Sequence, residues 1–168
     1  MRVLSGIILL TMIAGCASAP EPYAPSIITR TTEPVSILPW HPVSRGMFSW
    51  PVKGYIISPY GAKIDRVVNK GIDIRAQEGS NVRAAKAGKV VYCNPYLRGF
   101  GKTVIIDHGN GIQTVYSYNS DMFVRVGDMV QQGSVIAKVG RSGRAKEPCL
   151  HFEVRKAGEP QNPFYYLR

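Results

Sequence analysis

From Met47 onward the chain is a series of short apolar runs rich in Val, Ile and Tyr, separated by glycine turns. The runs are Tyr55-Ile56-Ile57, Gly71-Ile72-Asp73-Ile74, Gly88 to Tyr92, Thr103 to Ile106, Gln113 to Tyr116, Ser134 to Val139 and Leu150 to Val154. No long segment repeats its apolar residues every 3.6 positions, so the pattern argues against helices and predicts an all-β fold. Asn110-Gly111 is a strong two-residue hairpin signal, because both residues tolerate the positive φ that such a turn needs. It joins a strand ending at His108 to one starting at Ile112. Val126-Gly127-Asp128 and Gln132-Gly133-Ser134 read as further turns.

The residues before Met47 read differently. Arg2 followed by the mostly apolar Val3 to Ile13 has the layout of an export signal, too short to serve comfortably as a permanent membrane span. It ends in Ile13-Ala14-Gly15-Cys16, which looks like a bacterial lipobox. Residues 1–15 would be cut away and the Cys16 thiol acylated. A plain secretory signal with an incidental cysteine is the alternative. Two or three acyl chains anchor a protein firmly, where a single chain gives only marginal binding. Ala17 is not the aspartate that retains some lipoproteins in the inner membrane. An outer-membrane lipoprotein facing the periplasm is therefore expected. Over residues 16–46, Pro20, Pro22, Pro25, Pro34, Pro39 and Pro42 break any regular element and leave a semi-extended tether. Trp40 and His41, near its end, are expected to pack on the domain edge. The domain itself is expected over residues 47–168.

Charge and cysteines narrow the partners. The 168 residues carry 21 Lys and Arg against 11 Asp and Glu, a formal charge of +10. Such a surplus suits an anionic neighbour, and suits equally a dispersed solvated surface. No RNA- or DNA-binding signature accompanies it, so nucleic acid is not an expected partner. With Cys16 lipidated, Cys93 and Cys149 are the unmodified thiols. The periplasm is oxidising, and the sequence leaves open whether the two pair.

Several landmarks then fall in a familiar order: Ser58-Pro59-Tyr60-Gly61, Gly71-Ile72-Asp73, Gly88-Lys89-Val90-Val91, Ile106 to Gly111, Val126-Gly127, Gln132-Gly133, Val139-Gly140, Leu150-His151-Phe152-Glu153 and Asn162-Pro163. Each is weak alone. Together, from about Phe48 to Leu167, they resemble the LytM/M23 peptidase domain of bacterial cell-wall endopeptidases. The resemblance implies a glucose-permease-like antiparallel β-sheet domain with loops around a groove. Active members hold zinc with the histidine and aspartate of an H-x-G-x-D segment and the last histidine of an H-x-H segment. The first histidine of H-x-H and another from a Y-x-H segment serve the water and the oxyanion.

Carried onto this chain, the ligand positions are Asn69, Asp73 and His151, and the two catalytic positions are Cys149 and Tyr118. A catalytic zinc takes three protein ligands and keeps one position for water. Asn69 offers a neutral amide, a poor zinc donor beside imidazole. Loss of an outer-shell partner alone costs about 10–100-fold in metal affinity. Replacement of an acid–base histidine costs about 10²–10⁴-fold in rate. Tyr118, with a reference pKa of about 10, is a poor base at neutral pH. The pattern implies no enzyme and no cofactor. A zinc held in a new way by Asp73, Cys149 and His151 is the alternative, since residues 149 and 151 share one face of a strand. So is a buried hydrogen-bonded Asp73–His151 pair with Cys149 as a small core residue.

Asn69 to Ile74, Leu97-Arg98-Gly99-Phe100-Gly101 and Asn119 look closest to the EnvC/NlpD group, non-enzymatic members that switch on cell-wall amidases during division. That resemblance implies a partner, an N-acetylmuramoyl-L-alanine amidase, and a groove turned into a docking surface. Tyr60, Lys70, Arg141 and Arg144 are expected around it. No glycan-binding LysM module is expected before the domain, where the tether stands. A weak zinc endopeptidase and a peptidoglycan-binding scaffold are the alternatives.

Overall fold

The computed structural model describes residues 47–64 and 67–168. The expected signal peptide, the lipidation position Cys16 and the tether with Trp40 and His41 lie outside the described residues.

The regular elements of the described residues are almost all strands. They are β1 (Tyr55–Ser58), β2 (Lys63–Ile64), β3 (Val67–Val68), β4 (Ile72–Arg75), β5 (Asn81–Arg83), β6 (Gly88–Leu97), β7 (Gly101–Asp107), β8 (Ile112–Met122), β9 (Met129–Val130), β10 (Val135–Val139), β11 (Cys149–Lys156) and β12 (Glu159–Gln161). One turn of 3-10 helix, Pro163–Tyr165, follows, capped by the Asn162 side chain accepting from the Phe164 N–H. The main sheet runs β1-β4-β11-β8-β7-β6-β9, with β10 joined to β8 and β5, and β12 joined to β11. The pairings are antiparallel. β2 and β3 form a separate hairpin. The all-β antiparallel expectation is met.

Turn chemistry sets the connections. Asn110 and Gly111 take φ of 52° and 71°, and the Ile112 N–H closes the turn on the Gly109 carbonyl at 3.0 Å. β7 and β8 are joined by the hairpin that Asn110-Gly111 predicts.

Side-chain alternation then sorts the two faces of β4, β11 and β8. Ile72, Ile74, Leu150, Phe152, Val154 and Tyr116 point one way and are fully or almost fully buried in the hydrophobic core with Val104, Ile106, Ile136 and Phe48. Burial at about 25 cal/mol per Å² of apolar surface makes this layer the main source of stability. The alternate residues, Asp73, Arg75, Cys149, His151 and Glu153, emerge on the opposite face. That face carries the site.

Candidate functional site

Register places the polar residues in rows. Asp73 pairs with His151, and His151 pairs with Ser117 on β8. One row along, Tyr55 pairs with Arg75, and Arg75 with Cys149. The segment between β1 and β4 folds over this face at Gly71. A Cβ there would stand 2.2 Å from the Phe152 carbonyl oxygen, so only glycine allows the approach.

His151 is held by carboxylates at both ring nitrogens. Nδ1 lies 2.6 Å from Asp73 Oδ1 and Nε2 lies 3.0 Å from Glu153 Oε1. Arg155 completes the set, its Nε and Nη2 at 2.7 and 2.6 Å from Glu153 Oε2. Carboxylates only accept, so both contacts are hydrogen bonds when the ring carries two protons. Burial by itself lowers the proton affinity of His151. The bonds to Asp73 and Glu153 outweigh burial and hold it above that of an ordinary histidine. Glu153 is pushed up by burial and down by His151 and Arg155, and ends below the usual carboxylate range. The result is a connected cluster in which His151 bridges Asp73 and Glu153, and Arg155 closes on Glu153.

Asn69 is locked in the opposite sense to a metal ligand. Its Oδ1 accepts from the Gly71 N–H at 2.9 Å. A backbone N–H can only donate, so that atom is the oxygen. The amide nitrogen is thereby turned to Ser58 Oγ at 2.7 Å and to Asp73 Oδ2 at 3.3 Å. Where a ligand would aim a lone pair, Asn69 aims an N–H.

Tyr118 enters the groove through a β-bulge. Between Val104 and Lys102 on β7, the partner strand β8 advances from Tyr116 to Asn119, one residue too many. Tyr118 absorbs the excess at φ 70°, and its N–H donates to the Phe100 carbonyl at 3.0 Å. A bulge re-aims its side chain, here at the cost of a left-handed non-glycine residue. The Tyr118 and Phe100 rings lie 5.3 and 5.5 Å from the His151 ring. Burial, with Asp73 close by, raises the Tyr118 hydroxyl above an ordinary tyrosine. Cys149 is 3% exposed. Burial and the Asp73 and Glu147 charges push its thiol up to about 12, so it is neutral at any physiological pH. Cys93 is a free thiol elsewhere, 3.1 Å from the Val124 carbonyl. The disulfide left open by the sequence is not formed.

Two glycine-rich loops build the far lip. A Cβ on Gly101 would meet the Gly143 nitrogen at 2.4 Å. The loops therefore touch backbone to backbone, tied by Arg144 N–H to Gly99 O at 3.2 Å and Lys102 N–H to Ser142 Oγ at 3.0 Å. The Arg144 guanidinium stands 6.0 Å from the Phe100 ring.

Together these elements enclose a groove of about 500 Å³. Asn69, Asp73, Tyr118, Cys149 and His151 all line it, as do Lys70 and Arg144. Tyr60 and Arg141, expected around it, do not. The Tyr60 hydroxyl donates instead to the Pro160 carbonyl at 3.2 Å. Arg141 is exposed outside the groove, because the loop brings Arg144 inward only after turning at Gly143. Groove residues with no role expected from the sequence include Glu153, Glu147, Phe100 and the apolar wall of Ile57, Val67 and Val68. Glu153 had a signal, a lone acid two residues beyond His151 on one strand face.

The domain has known relatives. A family model, Peptidase family M23, matches residues 67–163. The chain belongs to peptidase family M23. The murein hydrolase activator EnvC of Escherichia coli (strain K12) is 39% identical to this M23 chain over 124 residues, 73% of the chain and 29% of EnvC. A lipoprotein NlpD/LppB homolog of Pseudomonas aeruginosa is 40% identical over 122 residues, 73% of the chain and 40% of that protein. The chain thus spans less than half the length of these two relatives. Among solved structures, a putative peptidase M23 from Pseudomonas aeruginosa matches with TM-score 0.63 at 33% identity, covering 71% of this chain and 49% of that one. A zinc containing peptidase from Vibrio cholerae matches with TM-score 0.65 at 28% identity, covering 71% and 40%.

The M23 groove of this chain does not fit a catalytic zinc. Asp73 and His151 are two donors of the three required. Asn69 presents an N–H to the same point. Among the described residues, no three His, Cys, Asp or Glu side chains converge into a metal-holding group.

Proposed function

We propose that the chain is a non-enzymatic activator of a periplasmic N-acetylmuramoyl-L-alanine amidase, acting in peptidoglycan remodelling and cell division. We propose further that an acylated Cys16 holds it on the outer membrane, with residues 16–46 as the tether to the M23 domain. Zinc has no part in this reading. The observation that carries it is the orientation of Asn69, which closes the ligand set while leaving the groove open. The likeness to proteins named murein hydrolase activator supports it.

The open groove has what a docking site needs. Its wall is apolar at Ile57, Val67, Val68 and Phe100, and its lip is basic at Lys70 and Arg144. Aromatic and arginine side chains are the commonest binding hot spots. Activation follows if the groove prefers the amidase with an open active site to the closed one. Only such a difference in affinity shifts a population, and moving it from mostly closed to mostly open takes about 5.5 kcal/mol.

The test uses dye-labelled sacculi. The purified chain alone should release no dye, and should raise dye release by a purified amidase. Zinc-dependent release of uncross-linked muropeptides by the chain alone, abolished in His151→Ala, would falsify the reading. So would an unchanged amidase rate.

A further inference from the structure

The groove does not end at the old metal position. Its end is crossed by the Arg75–Glu147 ion pair, with Nη2 at 2.5 and 2.7 Å from the two carboxylate oxygens. Beyond that pair lies a second cleft of about 410 Å³, and Glu147 lines both spaces. Register explains the continuity. Tyr55, Arg75 and Cys149 form the row next to Asp73 and His151 on one face of the sheet. Rows on a face are two residues apart, about 7 Å along the strand.

The second cleft has its own recognition chemistry. Tyr55 is 81% exposed at its edge. A tyrosine left in water offers a large apolar ring with a polar tip, the usual makings of an interface anchor. Lys53 and Arg75 line the same cleft. The side chains of Arg75 and Glu147 are 54% and 39% exposed, and an ion pair so solvated stabilises a fold little. Arg75 can therefore exchange Glu147 for an incoming carboxylate at small cost.

We propose that this cleft is the far half of the docking surface and takes a carboxylate-bearing segment of the amidase. The inference rests on the activator reading above and specifies its partner. The segment seats apolar side chains against Ile57, Val68 and Phe100. Further along it presents an acidic side chain to Arg75, in the row next to Asp73 and His151, and a neighbouring side chain covers Tyr55. The basic lip at Lys70 and Arg144 favours the same acidic partner.

The experiment measures the affinity of the purified full chain for a purified N-acetylmuramoyl-L-alanine amidase at low and high salt. Tyr55→Ala should weaken binding about tenfold, in the range of an aromatic anchor. The two halves of the ion pair should act with opposite sign. Arg75→Gln should weaken binding several-fold, and Glu147→Gln, which frees Arg75, should tighten it. A bridge serving only the fold would move both variants the same way or neither. Wild-type binding that Arg144→Ala weakens, but that Tyr55→Ala and both ion-pair variants leave unchanged, overturns the proposal and spares the activator reading. Absence of wild-type binding overturns the activator reading itself. If Tyr55→Ala weakens sedimentation with purified sacculi instead of amidase affinity, the cleft is a glycan site and the proposal fails.

Discussion

The two faces of β4, β8 and β11 are made from alternate residues of the same strands, yet obey different rules. On the core face, Ile72, Ile74, Leu150, Phe152 and Tyr116 fill space and exclude water. On the groove face, Asp73, His151 and Glu153 are tied to one another by side-chain hydrogen bonds. Each core residue is held by shape, and Asp73, His151, Glu153 and Arg155 by their polar contacts with one another. The core face is therefore sensitive to any single loss of volume. The groove face is sensitive to the loss of one charge and tolerant of the loss of all. The layer that stabilises the fold and the layer that lines the groove are therefore separate.

The largest effects test that distinction directly. Phe152→Ala should cost about 3–5 kcal/mol through lost burial and a cavity, read as a lower denaturant midpoint. Glu153→Gln should cost a similar amount, roughly 3–5 kcal/mol, because His151 and Arg155 lose a buried counter-charge. Removing the whole cluster, with Asp73, His151, Glu153 and Arg155 all replaced by apolar residues of similar volume, should recover most of that loss, since buried ionic sets are commonly replaceable. Unfolding by urea separates the cases. A quadruple variant no more stable than Glu153→Gln would break the comparison between the faces.

Much of the core face was legible in the sequence. The apolar runs at Gly71 to Ile74, Thr103 to Ile106 and Leu150 to Val154 became β4, β7 and β11. Short strands escaped, because β5, β9 and β12 are only two or three residues long, too short to show an alternating pattern. The apolar run Gly88 to Tyr92 is the first half of β6, which continues to Leu97 through a register shift between Asn94 and Leu97. Of the groove face, the family pattern supplied the positions but not their states. That Asn69 turns its nitrogen to Asp73 depends on the Gly71 N–H, and that Tyr118 sits in a bulge depends on a count against β7. Neither is a property of a local pattern. Tyr60 was misplaced for the same reason, its hydroxyl being drawn to Pro160 on a strand 100 residues away.

A middle-sized effect falls where the two faces meet. Gly71→Ala places a methyl 2.2 Å from the Phe152 oxygen and 2.8 Å from Glu153 Cγ. The segment must lift, at a cost of about 1–3 kcal/mol typical of overpacking, and Asn69 should lose its Gly71 bond with it. Tyr116 probes the core by pH. It is fully buried, accepts from the Ala85 N–H at 2.8 Å, and burial pushes it from 10.0 up to about 12. The unfolded chain ionises it first, so its contribution is intact below pH 10 and is lost as pH rises toward 12, on the order of 2–3 kcal/mol in all. Tyr116→Phe should flatten that alkaline slope relative to wild type in urea titrations at stepped pH.

The smallest effect on stability should carry the largest on function. Arg144 is exposed, and its guanidinium lies over Phe100 without an ion pair among the described contacts. Arg144→Ala should change unfolding free energy by no more than about 0.5 kcal/mol, as surface substitutions do. Its effect on amidase stimulation should be about tenfold if the lip is a hot spot. The core face cannot show such a separation, because every residue there is coupled to folding. Should Arg144→Ala lower stability and stimulation in proportion, the lip would be part of the scaffold, and the division of labour between the two faces would not extend to the rim of the groove.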